Sequence, residues 1–161
     1  MRRREEFRRE EDERLPAPGL TSAGVAESDL PPAAILLRAM AQTESLEAML
    51  TTSAALSNEE RFARGLVIGR QQVALSISLL LDNSRLAALP GCATAASTLR
   101  ALGQTTKRGD GPLSGDELLR LAKQFVGVRT QLRAVFDALP EADRDAGMEI
   151  TERMRQADEE A

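Results

Sequence analysis

The chain has 161 residues and a net charge of −4, with 25 acidic side chains against 21 basic ones and no histidine, tyrosine or tryptophan. The single cysteine, Cys92, excludes an intrachain disulfide and a thiolate metal cluster. The lack of histidine removes the side chain most used for acid–base work and metal binding near neutral pH.

The apolar content is aliphatic and alanine-rich, and Phe7, Phe62, Phe125 and Phe136 are the only aromatics. Ala, Leu, Arg and Glu lose little on entering a helix, whereas strands favour aromatic and β-branched residues. The palette therefore predicts an all-α protein.

Residues 1–14 are almost entirely charged, six arginines against six acids. Glu5–Arg9 and Glu10–Arg14 stand at i,i+4 in the favourable order, yet about 14 residues support only a marginal solvated helix. Residues 15–29, LPAPGLTSAGVAESD, have Pro, Gly and small residues without a period and read as a linker. Residues 1–30 are thus expected to form a disordered, charged arm. "MRRR" is followed by charged rather than apolar residues, so no signal peptide is expected. The most apolar run, VALSISLLL (73–81), has nine residues, against about 20 for a membrane span. These features predict a soluble, cytoplasmic protein of a reduced compartment, with no membrane partner.

A first helix is predicted from Pro31–Pro32 to about Ala55, with Ile35, Ala39, Leu46, Met49 and Leu56 in one stripe. SNEE (57–60) is a capping box, and it opens a predicted long helix to about Leu89. Phe62, Leu66, Val73, Ile77 and Leu80 form one line of it. Its 73–81 stretch is apolar nearly all round, which marks it as the central element. GLVIG (65–69) within that helix is read as a point of close helix crossing. CATAASTLRAL (92–102) predicts a short helix stopped by Gly103, followed by a loop over 104–112. SGDE (114–117) is a second capping box, opening a helix that Pro140 closes. The remainder predicts a weak acidic helix with Ala146, Ile150 and Met154 along the bundle.

The expected architecture is a small helical bundle of four main helices over 31–140. A disordered arm precedes it (1–30) and an acidic C-terminal helix or tail follows it (141–161).

In the helix after SGDE, Leu118, Leu121, Phe125, Val128, Leu132, Val135 and Leu139 recur at alternating steps of 3 and 4. That spacing belongs to helices crossing at about 20°, as in bundles and coiled coils. At about 1.5–3 kcal/mol per buried side chain, such a seam must be covered. The expected cover is the 57–89 helix. A second copy or partner helix is the alternative, which makes the seam a candidate interface.

Charge is segregated. Residues 61–136 carry eleven cations against four acids, whereas 137–161 carry nine acids against three arginines. The basic middle is expected either to be neutralised by the acidic flanks or to contact an anionic partner. The candidate anion-contacting residues are Lys107, Arg108, Arg120, Lys123, Arg129 and Arg133. No helix-turn-helix spacing, zinc finger or glycine-rich phosphate loop is present. No Ser–His or Cys–His pair is present either.

The sequence thus predicts no catalytic residue, metal or cofactor. It predicts a non-enzymatic assembly or adaptor subunit that meets protein partners through helix–helix contacts and forms a homo-oligomer. The alternative is a small nucleic-acid-associated protein using residues 61–136.

Overall fold

The computed structural model describes residues 30–160, so the expected N-terminal arm lies outside the described residues. Among the described residues there are six α-helices and no strand. They are α1 (Pro32–Ala54), α2 (Asn58–Ala63), α3 (Arg70–Ser84), α4 (Ala93–Lys107), α5 (Gly115–Asp137) and α6 (Glu141–Glu160), with a 3₁₀ turn at Leu86–Ala88 between α3 and α4. None of these helices is long and apolar enough to cross a membrane.

Both capping boxes form. Ser57 Oγ accepts from the Glu60 amide at 3.1 Å, and Ser114 Oγ accepts from the Glu117 amide at 3.2 Å. The glutamate side chains reach back to the Ser57 and Ser114 amides. Pro32 sits in the first turn of α1, where its missing N–H is no loss.

The centre of the bundle is α1, where the sequence pointed to the 57–89 stretch. α1 packs chiefly along α5, then against α6, and more lightly against α3. Ala33, Ala34, Leu36, Ala39, Met40 and Leu50 of α1 are buried, and small side chains among them let the neighbouring helices approach closely. α1 and α5 run antiparallel: Gly115 at the start of α5 lies beside the Ala54 carbonyl, and Glu47 meets Arg129 farther along.

The predicted long helix over 57–89 is broken, and the glycines of GLVIG break it. Gly65 adopts φ +67°, the left-handed conformation that glycine takes without penalty. The Leu66 amide then bonds to the Arg61 carbonyl at 2.8 Å, and the Gly65 amide to the Phe62 carbonyl at 3.2 Å. This Schellman closure ends α2. The chain runs extended through Ile68, whose carbonyl accepts from the Leu113 amide at 3.0 Å. Burial of both Ile68 and Leu113 fixes that contact. GLVIG is therefore a connector and not a helix-crossing point.

Two further boundaries move. Gly103 lies inside α4 and does not end it, because its bare face is filled by Ile77, 3.4 Å from where a Cβ would stand. The Thr105 and Thr106 hydroxyls donate to the Ala101 and Leu102 carbonyls as α4 continues to Lys107. In α6, Gly147 is buried against Ala33, Ile150 and Met154 are half-buried, and Ala146 faces outward, contrary to its expected inward position.

Candidate interaction surfaces

The seam faces into the molecule. Leu118, Leu121, Phe125, Val128 and Leu132 are buried, and Val135 and Leu139 are half-buried against the same core. Its principal cover is α1 and not the 57–89 stretch. These side chains hold the fold together, so contacts with other molecules must use other surfaces.

Charged side chains on that framework divide into paired and unpaired sets. Arg129, one of the candidate anion-contacting residues, is half-buried and bonded to Glu47 of α1 at 2.6 Å. Arg70, at the start of α3, meets Glu117 at 2.6 Å and donates to the Asp110 carbonyl. The Arg70 guanidinium, helped by Ser114, holds the Glu117 carboxyl down to about 2. Arg61 is buried without a carboxylate. Its guanidinium donates to the Ser53 and Leu56 carbonyls and to Asn58 Oδ1, so it caps the C-terminus of α1, where a cation complements the helix dipole.

The arginines of α6 bond within their own helix: Arg153 to Glu149, and Arg155 to Glu152 and Glu159. Among the described residues, no ion pair joins α6 to residues 61–136. Lys107, Arg108, Arg120 and Lys123 are exposed and make no ion pair among the described residues. Arg133 lies over the Phe136 ring at 5.8 Å.

Exposed apolar side chains not expected from the sequence occur on α2, on the 65–69 connector and on the outer side of α3. Phe62 is 82% exposed and Leu75 60%, with Leu66, Val67 and Leu79 also exposed. Once Gly65 breaks the helix, Phe62 and Leu66 no longer continue the line of Val73, Ile77 and Leu80. Those three α3 residues stay buried together with Ser84. Leu75 and Leu79 crown a ridge with a groove on each side. The groove toward α1 has about 490 Å³ and is lined by Leu46, Leu79 and Gln42 among others. The groove toward α4, of about 400 Å³, is bordered by Arg100 and Lys107. The clue in the sequence was the two glycines bracketing Leu66–Val67–Ile68, which read equally well as a helical GxxxG.

Cys92 is buried at the start of α4, and burial pushes its thiol up rather than down, away from a reactive thiolate. Among the described residues, no three of His, Cys, Asp and Glu gather where they could hold a metal ion. Compared with known proteins, the chain matches no family model, no curated protein and no solved structure.

Proposed function

We propose that the protein is a non-enzymatic helical assembly or adaptor subunit that binds protein partners through helix–helix contacts and associates with itself. The observation that carries this reading is the exposed apolar ridge of Leu75 and Leu79, flanked by a groove on each side. Clustered exposed apolar side chains rimmed by polar ones mark interaction surfaces. A helix laid beside α3 would cover Leu75 and Leu79 by the i,i+4 anchoring that grooves between helices accept.

The test is the double variant Leu75→Glu/Leu79→Glu. Both side chains are exposed, so the variant should fold with a wild-type denaturation midpoint. A partner isolated with the wild-type chain, purified and re-bound, should lose at least tenfold in affinity for the variant. A wild-type chain that stays monomeric at high concentration and retains no partner contradicts the reading.

A second reading rests on the exposed, unpaired Lys107, Arg108, Arg120 and Lys123. They would contact the phosphates of a nucleic acid, with affinity falling steeply as salt rises. Failure to retain DNA or RNA at about 50 mM salt removes it.

A further inference from the structure

Among the glycines inside helices, Gly127 alone would carry a Cβ into open space. Gly103 lies against Ile77, and Gly147 makes room for Ala33. Gly127 stands in the middle of α5, the longest helix together with α1, yet a Cβ there would meet nothing within 4 Å. A glycine inside a helix is among the poorest helix formers, and neither its backbone conformation nor its own neighbours require it here. Bare backbone at an open surface lets another chain come close.

Gly127 lies in the groove between α4 and α5, about 490 Å³, with Ala101, Leu102 and Val128 as apolar lining and Gln124 and Gln131 as polar lining. Helical spacing places the cations at one end of it. Arg120, Gln124, Gly127 and Gln131 follow at steps of 4, 3 and 4, and Ala101, Thr105 and Arg108 at steps of 4 and 3. The short 108–114 connection makes α4 and α5 antiparallel neighbours, so Arg108 and Arg120 stand at the same end, with Lys123 one row over. The acids nearby are Asp110, which faces Arg70, and Asp116 and Glu117 in the first turn of α5, of which Glu117 is bonded to Arg70.

The complement to this groove is carried by the chain itself. α6 is held to α1 by its Gly147 face, which turns Glu141, Asp145 and Met148 outward. Met148 is 46% exposed, and neither carboxylate has an ion-pair partner among the described residues. The registers match. Glu141 precedes Met148 by the seven positions that separate Arg120 from Gly127, about 10 Å along a helix. Met148 seated over Gly127, with the helices parallel, brings Glu141 to Arg120 and Asp145 to Lys123 and Gln124.

We infer that the α4–α5 groove receives the outer face of α6 from a second copy of this chain. The inference rests on the assembly reading above and names the surfaces used for self-association. They are distinct from the Leu75–Leu79 ridge. The contact is heterologous, since one patch meets a different patch on the next copy. Nucleic acid, the other polyanion, would use the cations but would make no use of the apolar groove or the bare glycine.

The test is light scattering and sedimentation of the full chain, with four variants. Arg120→Glu/Lys123→Glu and Glu141→Lys/Asp145→Lys should each weaken self-association at least tenfold. Mixed together they should associate, because each supplies the face that the other has lost. Gly127→Ala should raise the melting temperature by a few degrees while weakening self-association at least fivefold. If Gly127→Ala and both charge reversals leave association unchanged, the inference is wrong. If Leu75→Glu/Leu79→Glu alone abolishes association, the inference fails and the assembly reading stands. A wild-type monomer that takes up a partner protein overturns the inference and leaves only the partner-binding half of the assembly reading. A wild-type monomer that binds an oligonucleotide through Arg120 and Lys123 overturns the inference in favour of nucleic acid. A wild-type monomer that binds nothing ends both.

Discussion

The α1–α5 pair and the α2–α3 segment draw on the same aliphatic palette, yet one encloses its apolar side chains and the other leaves several of them exposed. In α5 the apolar residues recur at 3 and 4, so they share one face, and α1 is the principal cover of that face. In α3 the apolar residues run together over 73–81, so they point in several directions: Val73, Ile77 and Leu80 are buried, Leu81 packs against the core half-buried, and Leu75 and Leu79 are exposed. Apolar density and apolar periodicity are separate signals. Periodicity decides what can be buried by one neighbour, whereas a dense run needs neighbours on all sides. α3 has α4 on one side and a lighter contact with α1 on another. Leu75 and Leu79 are the residues left over.

The largest expected contrast follows from truncating one side chain in each region. Phe125→Ala removes a fully buried ring and should destabilise the fold by about 3–5 kcal/mol. Leu75→Ala should stay within about 0.5 kcal/mol of wild type. Urea denaturation of the two variants measures both. Equal losses would mean that the ridge is covered.

Next in size is Gly147→Ala in α6. A Cβ there would collide with the Ala33 side chain and approach the backbone at Ala33 and Ala34 to 2.9 Å. Overpacking of this kind costs about 1–3 kcal/mol. α6 should loosen first, so amide exchange over 141–160 should accelerate while α5 keeps its protection.

A smaller effect is confined to acid. Glu117 titrates at about 2 in the folded chain, below its ordinary 4.5, chiefly because Arg70 is bonded to it. A depressed carboxyl stabilises the fold above the ordinary value and loses that contribution as pH falls from 4.5 toward 2. Glu117→Gln should therefore be less stable than wild type at neutral pH and approach it at the acid end. Denaturation midpoints at pH 7, 4 and 2.5 give the comparison.

The smallest change expected is at Arg85, which closes α3 with φ 50°, a conformation unfavourable to any residue with a Cβ. Arg85→Gly should stabilise by up to about 1 kcal/mol in a thermal melt.

The helix class, both capping boxes and the inward seam were legible because each rests on local chemistry: Ser and Glu three apart, or a strict 3–4 spacing. The first helix was legible to within a residue at each end. The partner of the seam was not, since spacing says which face is buried and not by what. The break at Gly65 was missed because GLVIG has the same letters whether its glycines bend the chain or admit a neighbour. Burial of Ile68 beside Leu113 decides it, and that is a contact between residues far apart in sequence. Among the candidate cations, Arg129 was indistinguishable from Lys123 until Glu47 was found beside it. The outward ridge was illegible for the same reason as the break.

The measurement that tests the account most directly is light scattering of the full chain across a wide concentration range at about 100 and 500 mM salt, with absorbance followed at 260 and 280 nm. With no tyrosine or tryptophan, the chain is nearly dark at 280 nm, and any nucleic acid carried with it would dominate both wavelengths. The expected result is a protein free of nucleic acid whose mass rises with concentration and falls at the higher salt, as charges between copies are screened. A chain that stays monomeric throughout, or whose mass comes from nucleic acid that high salt strips away, would contradict it.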